Sequence, residues 1–430
     1  MVSRNLGKNS TFLLSITLFL IIVDAFWGFL YTKTVFAANI YSYASFILLF
    51  VLSLSVAVKY SFGKITSICG VWLPYLLYTI LGYLFDTNMH PMTSWMNCLI
   101  LLMVSRKANF QEAVPYGVFY WSGLIALLGV LIQLLFPMVY LASIEGIFEE
   151  SDRLSMFEDR GLAGFTYNTG ATASILLYAE AVVLYLRNVV NSYFLKRNIF
   201  YYIVLIFIII GVLLTGKRML SLLAVALPFI VIWFSKKLSG KKVFIISFIA
   251  LAAVLFYFYF VSHLTELSDT RIFRRFVETY TEIQEGDDFT TGRSDLYAMA
   301  IKAFEDHPLT GVGVGKFMEY TKAYTDVHNT YLQVLCEQGI VGLLFFVFPL
   351  LYCLRNTVKQ LRTIKNTELR PLLSFSLAFQ LIYILYAFTG NVNIGCGFTM
   401  YFIAIGVLIS VSKKMSTQSI RKYESTPHNI

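Results

Sequence analysis

Charged residues are scarce in this chain of 430 residues. Lys, Arg, Asp and Glu make up only 14% of it, whereas 57% of the residues are hydrophobic. Because a soluble globular chain carries about a quarter charged residues, this composition excludes an ordinary soluble domain and favours an integral membrane protein. A membrane-spanning helix needs about 20 mostly apolar residues. Some twelve such segments are present, near residues 11–31, 39–58, 66–84, 92–105, 116–136, 168–186, 198–215, 218–235, 243–262, 330–354, 371–389 and 396–412.

Cysteine and histidine are also rare, with five of each. No two cysteines form a CxxC pair, none clusters with histidine, and most fall inside predicted spans. This pattern predicts neither a disulfide framework nor a structural metal site. Asp287 and Asp288 could supply oxygen ligands to a cation, but no further ligands are identifiable in the sequence. We therefore expect no metal and no other cofactor.

The basic residues sort to one side of the predicted membrane topology. With a cytoplasmic N-terminus and alternating spans, 22 of the 34 Lys and Arg residues fall on inner segments, and every short inner loop satisfies the positive-inside rule. Nineteen of the 25 acidic residues fall outside, almost all in two long outer segments. Membrane topology therefore explains the net charge of +9, and we expect no nucleic-acid partner. The functional part of the chain is expected to face away from the cytoplasm.

This topology divides the chain into four parts. Residues 1–262 hold the first nine spans, with an outer loop at about 137–167, and residues 263–329 form a large extracytoplasmic loop. Residues 330–412 hold the last three spans, and residues 413–430 form a basic cytoplasmic tail. The first apolar run is longer than the roughly 7–15 residues of a signal-peptide core, so we expect an uncleaved span. The expected fold is an all-α polytopic membrane protein.

The large outer loop contains two predicted amphipathic helices. Residues 266–284 combine an apolar and a basic face, which is typical of a helix lying in the membrane interface. A direct role in substrate binding is the alternative, and the basic face also suits an anionic lipid headgroup. The apolar face consists of Phe273, Phe276, Val277 and Tyr280. A second helix ends at Pro308. Its apolar stripe consists of Leu296, Tyr297, Ala300, Ile301 and Phe304.

Three cations lie where a cation is unexpected. Lys217 and Arg218 fall on the outer side, at the head of the eighth span. Lys217 can reach the lipid headgroups by snorkelling, whereas Arg218 lies one residue deeper, where a structural and a functional role are equally plausible. Arg293 lies at the positive end of a predicted helix, so it needs an anionic partner. That partner is either a nearby carboxylate, such as Asp295, or an external anion.

Polar residues also cluster where the tenth span begins. His328 is flanked by Asp326 and Asn329, and imidazole suits proton transfer near neutral pH, although a lone histidine at a membrane interface is more often structural. Glu337 lies within the span, where a carboxylate is costly and is a functional hypothesis by default. The run 311–315, Gly-Val-Gly-Val-Gly, lacks the strand–loop–helix context of a phosphate cradle, so we interpret it as a tight, close-packed turn.

These residues together resemble the signature region of the O-antigen ligase/polymerase (Wzy/WaaL-like) membrane family. The run from Thr291 to Gly342 contains the motif elements GR, HPLTGVG, HNTYL and EQGIVG in that order. The segment TGKRMLSL resembles the upstream arginine motif of the family. The segment RGLAGFTYNTGA, which includes Arg160 and Asn168, resembles a looser pattern ahead of the sixth span.

The resemblance implies a metal-independent, GT-C-like glycosyltransferase of the bacterial cytoplasmic (inner) membrane, with its active site on the extracytoplasmic side. Its donor would be an undecaprenyl-pyrophosphate-linked oligosaccharide. Carried over by motif, Arg218 and Arg293 would bind the pyrophosphate, and His328 would deprotonate the attacking sugar hydroxyl. The remaining candidates for substrate binding or support of the site are Arg160, Lys217, Asn329, Glu337, Gly313 and Gly315.

Three functions remain in competition. A polymerase would extend a lipid-linked surface polysaccharide (O-antigen or capsule), as a rule with a separate chain-length-regulating co-polymerase. A ligase would move the finished glycan to lipid A-core, a protein or a wall acceptor. We expect the polymerase, because no acceptor-recognition motif is visible. A secondary transporter is the third alternative, but the sequence lacks the internal repeat typical of such folds and the transporter leaves the arginine and HN motifs unexplained.

Overall fold

The computed structural model describes residues 2–27, 39–60, 65–85, 89–145, 161–189, 198–235, 259, 262–263, 266, 274–285, 293–364, 368–392 and 397–424. Every regular element within these ranges is a helix, so the predicted all-α class is confirmed for this part of the chain. The chain divides into two compact units. The first comprises Met1–Thr32, Ala37–Val118 and Tyr297–Ile430, and the second Lys33–Phe36 and Phe119–Leu296.

The first unit contains the helices that surround the HN motif. Its described helices are α1 (Val2–Trp27), α2 (Asn39–Tyr60), α3 (Ser67–Phe85), α4 (Met89–Val104), α5 (Phe110–Ala113), α13 (Phe317–Thr321), α14 (Thr330–Thr363), α15 (Arg370–Tyr386) and α16 (Gly397–Glu424). The second unit contains the arginine motif. Its described helices are α7 (Pro137–Ile144), a 3₁₀ turn (Gly164–Thr166), α8 (Thr169–Val189), α9 (Asn198–Leu214), α10 (Arg218–Ser235) and α11 (Arg274–Glu285). Helices α6 (Tyr116–Leu135) and α12 (Arg293–Asp306) contain the points where the chain passes from one unit to the other.

Eleven of the twelve predicted spans correspond to described helices. The ninth, 243–262, lies outside the described residues except at 259 and 262. By length and composition, five of the described helical segments could cross a membrane: Ser67–Leu84, Phe110–Leu135, Thr169–Leu186, Thr330–Thr363 and Gly397–Thr417. Six shorter apolar helices accompany them. These helices fit an integral membrane protein, whereas the number of twelve spans and the GT-C-like arrangement stay predictions.

Aromatic side chains form the centre of the first unit. Trp72 of α3 packs edge-to-face on Phe402 of α16, with ring centroids 4.9 Å apart, and Trp95 of α4 stacks on Phe398 at 4.6 Å. Phe346 joins α14 to this cluster through Trp72, at 6.5 Å. Such aromatic pairs contribute roughly 0.5–1.5 kcal/mol each beyond the burial of their area. The cluster therefore fixes the part of α14 around Phe346.

Helix α12 differs in detail from its predicted stripe. Leu296, Ala300 and Ala303 are buried, whereas Ile301 is 46% exposed. The spacing i, i+4, i+7 places Ala303, and not Ile301, on the buried face. Of the predicted interfacial helix, only residues 274–285 form a described helix, and Phe273 lies outside the described residues.

Candidate active site

Helix α14 is broken near its start, and the glycine-rich loop fills the break. Gly339 has φ 65° and ψ −169°, a conformation that is open essentially only to glycine. A continuous helix would bond the Ile340 amide to the Cys336 carbonyl. Instead, the Val312 amide donates to Cys336 O at 2.9 Å, and the Ile340 amide donates to Pro308 O at 2.9 Å. The helix that corresponds to the predicted span 330–354 is therefore interrupted at this point.

The same exchange of hydrogen-bond partners between loop and helix recurs one residue further along the chain. The Gly313 amide donates to Glu337 O at 2.9 Å, and the Val341 amide donates to Leu309 O at 3.4 Å. Buried backbone groups must be paired, so loop and broken helix each complete the hydrogen bonding of the other. A Cβ at Gly311 would overlap the backbone of Glu337. The predicted tight turn thus packs directly against α14, with backbone in contact with backbone.

The Glu337 carboxylate holds the far end of this loop. Its side chain is 5% exposed, and it accepts hydrogen bonds from the Gly315 amide at 2.9 Å and from the Phe317 amide at 3.4 Å. The amides of Val312, Gly313, Gly315 and Phe317 therefore all donate within the protein. This geometry favours support of the site over phosphate binding by Gly313 and Gly315.

His328 lies in a strained segment that is anchored on its C-terminal side. Its φ is +55°, which is uncommon for a residue other than glycine and is typical of functional positions. Asn329 caps α14, since its Oδ1 accepts hydrogen bonds from the amides of Tyr331 and Leu332 at 3.0 and 3.2 Å. Thr330 donates from its amide to Ala387 O at 2.8 Å and from its hydroxyl to Gly390 O at 2.8 Å. The imidazole thus sits on a locally fixed backbone.

Gln333 is a buried polar residue that the motif reading missed. It is 6% exposed, and its Oε1 accepts from the Val327 amide at 3.1 Å. Its Nε2 donates to Asp326 Oδ1 at 3.2 Å and to Glu337 Oε1 at 2.6 Å. Gln333 and Glu337 are one helical turn apart, and this i, i+4 pair of polar residues in an apolar span was the signal that could have revealed it.

A hydrogen bond and a ring contact link the end of α12 to α13, the two helices on either side of the glycine-rich loop. The Tyr320 hydroxyl donates to Asp306 Oδ2 at 3.0 Å, and the rings of His307 and Tyr320 lie 5.6 Å apart. The hydrogen bond to this carboxylate raises the pKa of Tyr320, because deprotonation would place a second negative charge beside Asp306. Tyr320 therefore stays a donor at neutral pH.

The arginine motif forms a turn in the second unit. Gly216 has φ +67°, and α10 begins directly afterwards at Arg218, with no acidic residue in its first turn. Lys217 and Arg218 are both half-buried. Both cations therefore lie at the positive end of the α10 helix dipole.

The looser glycine pattern packs directly against this turn. The Leu162 amide donates to Leu214 O at 2.9 Å, and a Cβ at Gly161 would overlap the Thr215 carbonyl. Arg160, which immediately precedes Gly161, lies outside the described residues. The geometry thus joins two of the predicted motifs, although they are more than fifty residues apart in sequence.

Side chains of α6 and α7 hold the glycine pattern in place. The Gly164 amide donates to Gln133 Oε1 at 2.8 Å, and the Tyr140 hydroxyl donates to Gly164 O at 2.8 Å. Burial raises the pKa of Tyr140, so its hydroxyl remains a donor. Asn168 accepts from the Ala171 amide at 3.0 Å at the start of α8.

The predicted site residues therefore fall into two groups. His328, Asn329, Glu337, Gly313 and Gly315 lie together in the first unit, and Lys217 and Arg218 lie together in the second.

Arg293 is half-buried at the first position of α12, with Asp295 in the same turn. Within the described ranges, no group of three or more His, Cys, Asp or Glu side chains is placed to hold a metal ion. Asp287 and Asp288 lie outside those ranges.

Residues 203–347 match the model of a family described as O-Antigen ligase. The matched stretch contains the arginine turn, Arg293, the glycine loop, His328 and Glu337. No curated protein matches the chain at a significant level. The family match supports assigning the chain to the O-antigen ligase/polymerase family, as the motifs predicted.

Proposed function

We propose, with this family assignment as the premise, that the chain is a glycosyltransferase of the bacterial cytoplasmic membrane. It polymerises undecaprenyl-pyrophosphate-linked oligosaccharide repeat units of a surface polysaccharide, either O-antigen or capsule, on the outer face of that membrane. The observation that carries the proposal is the strained, anchored conformation of His328 inside the segment that matches the family. A fixed imidazole is what a general base in sugar transfer needs.

The reaction follows from the chemistry of these side chains. His328 takes the proton of an acceptor sugar hydroxyl, and the hydroxyl oxygen attacks the anomeric carbon of the donor sugar. The bond between that carbon and the pyrophosphate oxygen breaks, and the lipid pyrophosphate leaves with the electron pair. A positioned general base contributes about 10²–10⁴ in rate. No metal is required by this sequence of steps.

Arg218 and Arg293 supply the charge that the leaving group requires. A planar guanidinium group can donate two parallel hydrogen bonds to the oxygens of one phosphate. Removing one fixed donor that is aimed at a developing charge lowers the reaction rate about 10²–10³-fold. Arg218 begins α10 directly after the left-handed turn at Gly216, and the N-terminus of a helix is a favourable place for an anionic group. Lys217 and Arg160 support the same site in this proposal.

A ligase is the second candidate, and the family match is equally compatible with it. It would use the same donor and the same residues, but it would transfer the finished glycan to lipid A-core, a protein or a wall polymer. The two reactions differ only in the acceptor. A chain-length-regulating co-polymerase would accompany the polymerase alone.

The test uses the purified protein in nanodiscs with the undecaprenyl-pyrophosphate repeat unit of its host as the sole substrate. Gel electrophoresis and mass spectrometry resolve the products. A ladder spaced by one repeat is expected, because no other acceptor is present. A single transfer that appears only after a host lipid or wall acceptor is added would identify a ligase. Absence of transfer in both arms, with donor binding intact, would contradict both proposals and favour a transporter.

A further inference from the structure

We propose that Gln333 is a positioning residue for His328, which it orients through the backbone amide of Val327. This inference rests on the proposed function, because it concerns the alignment of the general base. Gln333 touches neither of the reacting groups named above.

The first observation is the contact itself. The Val327 amide donates to Gln333 Oε1 at 3.1 Å, and Val327 is fully buried immediately before His328. On the other side of the histidine, Asn329 and Thr330 are fixed by the helix cap and by the end of α15. Gln333 therefore provides the N-terminal anchor of a three-residue segment whose C-terminal anchor is independent of it.

The second observation is the strain at this segment. His328 has φ +55°, and such a conformation persists only where surrounding contacts impose it. Removing the Val327 anchor allows the backbone to relax toward negative φ and to turn the imidazole. A displacement of about 1 Å at a catalytic group costs on the order of 10²-fold in rate.

The third observation is that only a side-chain amide can satisfy all three hydrogen-bond partners of Gln333. Its oxygen accepts from Val327, while its nitrogen donates to two carboxylates, those of Asp326 and Glu337. A glutamine has both functions in one side chain, whereas glutamate has no donor and methionine of similar size has neither. Burial of Gln333 makes each unmet partner costly, at roughly 1–3 kcal/mol per group.

The network also connects the base to the glycine loop. Glu337 accepts from Gln333 on one side and from the Gly315 and Phe317 amides on the other. The loop and the His328 segment therefore share one buried pair of side chains, Gln333 and Glu337. A displacement of the glycine-rich loop is therefore transmitted to His328 through Gln333 and Glu337.

The experiment compares Gln333→Met with the wild-type protein in the nanodisc assay, at varied concentrations of the repeat unit, which serves as both donor and acceptor. The kcat should fall about 100-fold while the KM for the repeat unit stays within about twofold, because the loss lies in base alignment and not in substrate binding. The matched control is Gln380→Met. Gln380 is equally buried, and its amide donates to Thr357 and Ser376. Gln380, Thr357 and Ser376 take no part in the hydrogen bonds of Gln333, so this control should leave kcat near wild type.

A compensated variant separates positioning from general instability. In Asp326→Asn/Gln333→Glu/Glu337→Gln, donors and acceptors are exchanged at all three positions, so the new carboxylate at 333 accepts from Val327 and from both new amides. The remaining oxygen at position 337 still accepts from the Gly315 amide, and only the longer bond from the Phe317 amide, at 3.4 Å, is lost. Gln333→Glu alone places three carboxylates together and should be at least as impaired as Gln333→Met. The triple variant should recover kcat to within about tenfold of wild type.

Two outcomes would overturn the inference. One is a kcat for Gln333→Met within about threefold of wild type. The other is a loss of kcat that Gln380→Met reproduces at equal loss of thermal stability. Both outcomes require an active wild-type enzyme, so they are distinguishable from a failure of the proposed function, in which the wild-type protein itself forms no glycosidic bond.

Discussion

Replacement of Gly339 by alanine tests the packing of the glycine-rich loop against the break in α14. Alanine is disfavoured at the observed φ of 65° and ψ of −169°, and residues held in such regions cost about 1–3 kcal/mol. The added Cβ would also overlap the carbonyl of Leu309. Relief of this overlap requires the loop to move, with loss of the hydrogen bonds from Ile340 and Val341.

The expected magnitude follows from these terms. Two hydrogen bonds at about 0.5–1.5 kcal/mol each, added to the backbone strain, give a loss of roughly 2–6 kcal/mol in the free energy of unfolding. Denaturant titration in detergent measures this loss. Gly117→Ala is the matched control, since a Cβ at Gly117 meets no atom within 4 Å.

The result that would refute this reasoning is a small difference between the two variants. The ordinary effect of a surface substitution is within about 0.5 kcal/mol. If the free energies of unfolding of Gly339→Ala and Gly117→Ala differ by no more than that, neither the backbone strain nor the packing of the loop on α14 contributes as described. We also expect Gly339→Ala to lose transfer activity, because a continuous α14 would withdraw the Cys336 carbonyl from the loop.

Further predictions concern charge and anchoring. Arg218→Lys should lose nearly as much transfer rate as Arg218→Ala, about 10²-fold, because a lysine cannot bind phosphate through a planar fork; equal activity of Arg218→Lys and wild type would contradict a paired contact. Arg106→Ala, in a predicted inner loop, should leave the rate near wild type. Glu337→Ala should leave the Gly315 and Phe317 amides unpaired and speed tryptic cleavage at Lys316. Glu112→Ala, which removes an exposed ion pair, should not change that cleavage.

The glycine loop shows how a motif can be misread. Alternating glycines resemble a cradle for phosphate, but in the described structure the amides of Gly311, Gly313 and Gly315 donate to the His307 carbonyl, the Glu337 carbonyl and the Glu337 carboxylate, respectively. A phosphate at Gly315 would have to displace a buried carboxylate. The glycines are needed because Gly311, Gly313 and Gly315 all have positive φ, which permits a close approach of two backbones.

Local patterns predicted most of the described helices, whereas the helix ends were less accurate. Eleven of the twelve apolar segments correspond to described helices, but α1 begins at Val2, well before residue 11, and the helix cap formed by Asn329 was not predicted. The break at Gly339 could not be predicted, because a glycine in an apolar run is compatible with a continuous helix and only the docked loop makes the break favourable. Gln333 was missed although its i, i+4 spacing to Glu337 was visible, because only the folded segment before α14 brings Asp326 and Val327 back onto its side chain.

The most direct test of the account compares His328→Ala with His307→Ala in the nanodisc polymerisation assay. His307 is an exposed histidine beside the same glycine loop, so it controls for removal of an imidazole near the site. The account predicts that His328→Ala binds the lipid-linked donor and forms no ladder, whereas His307→Ala forms a ladder close to that of wild type. A ladder of wild-type intensity from His328→Ala would contradict the assignment of His328 as the general base.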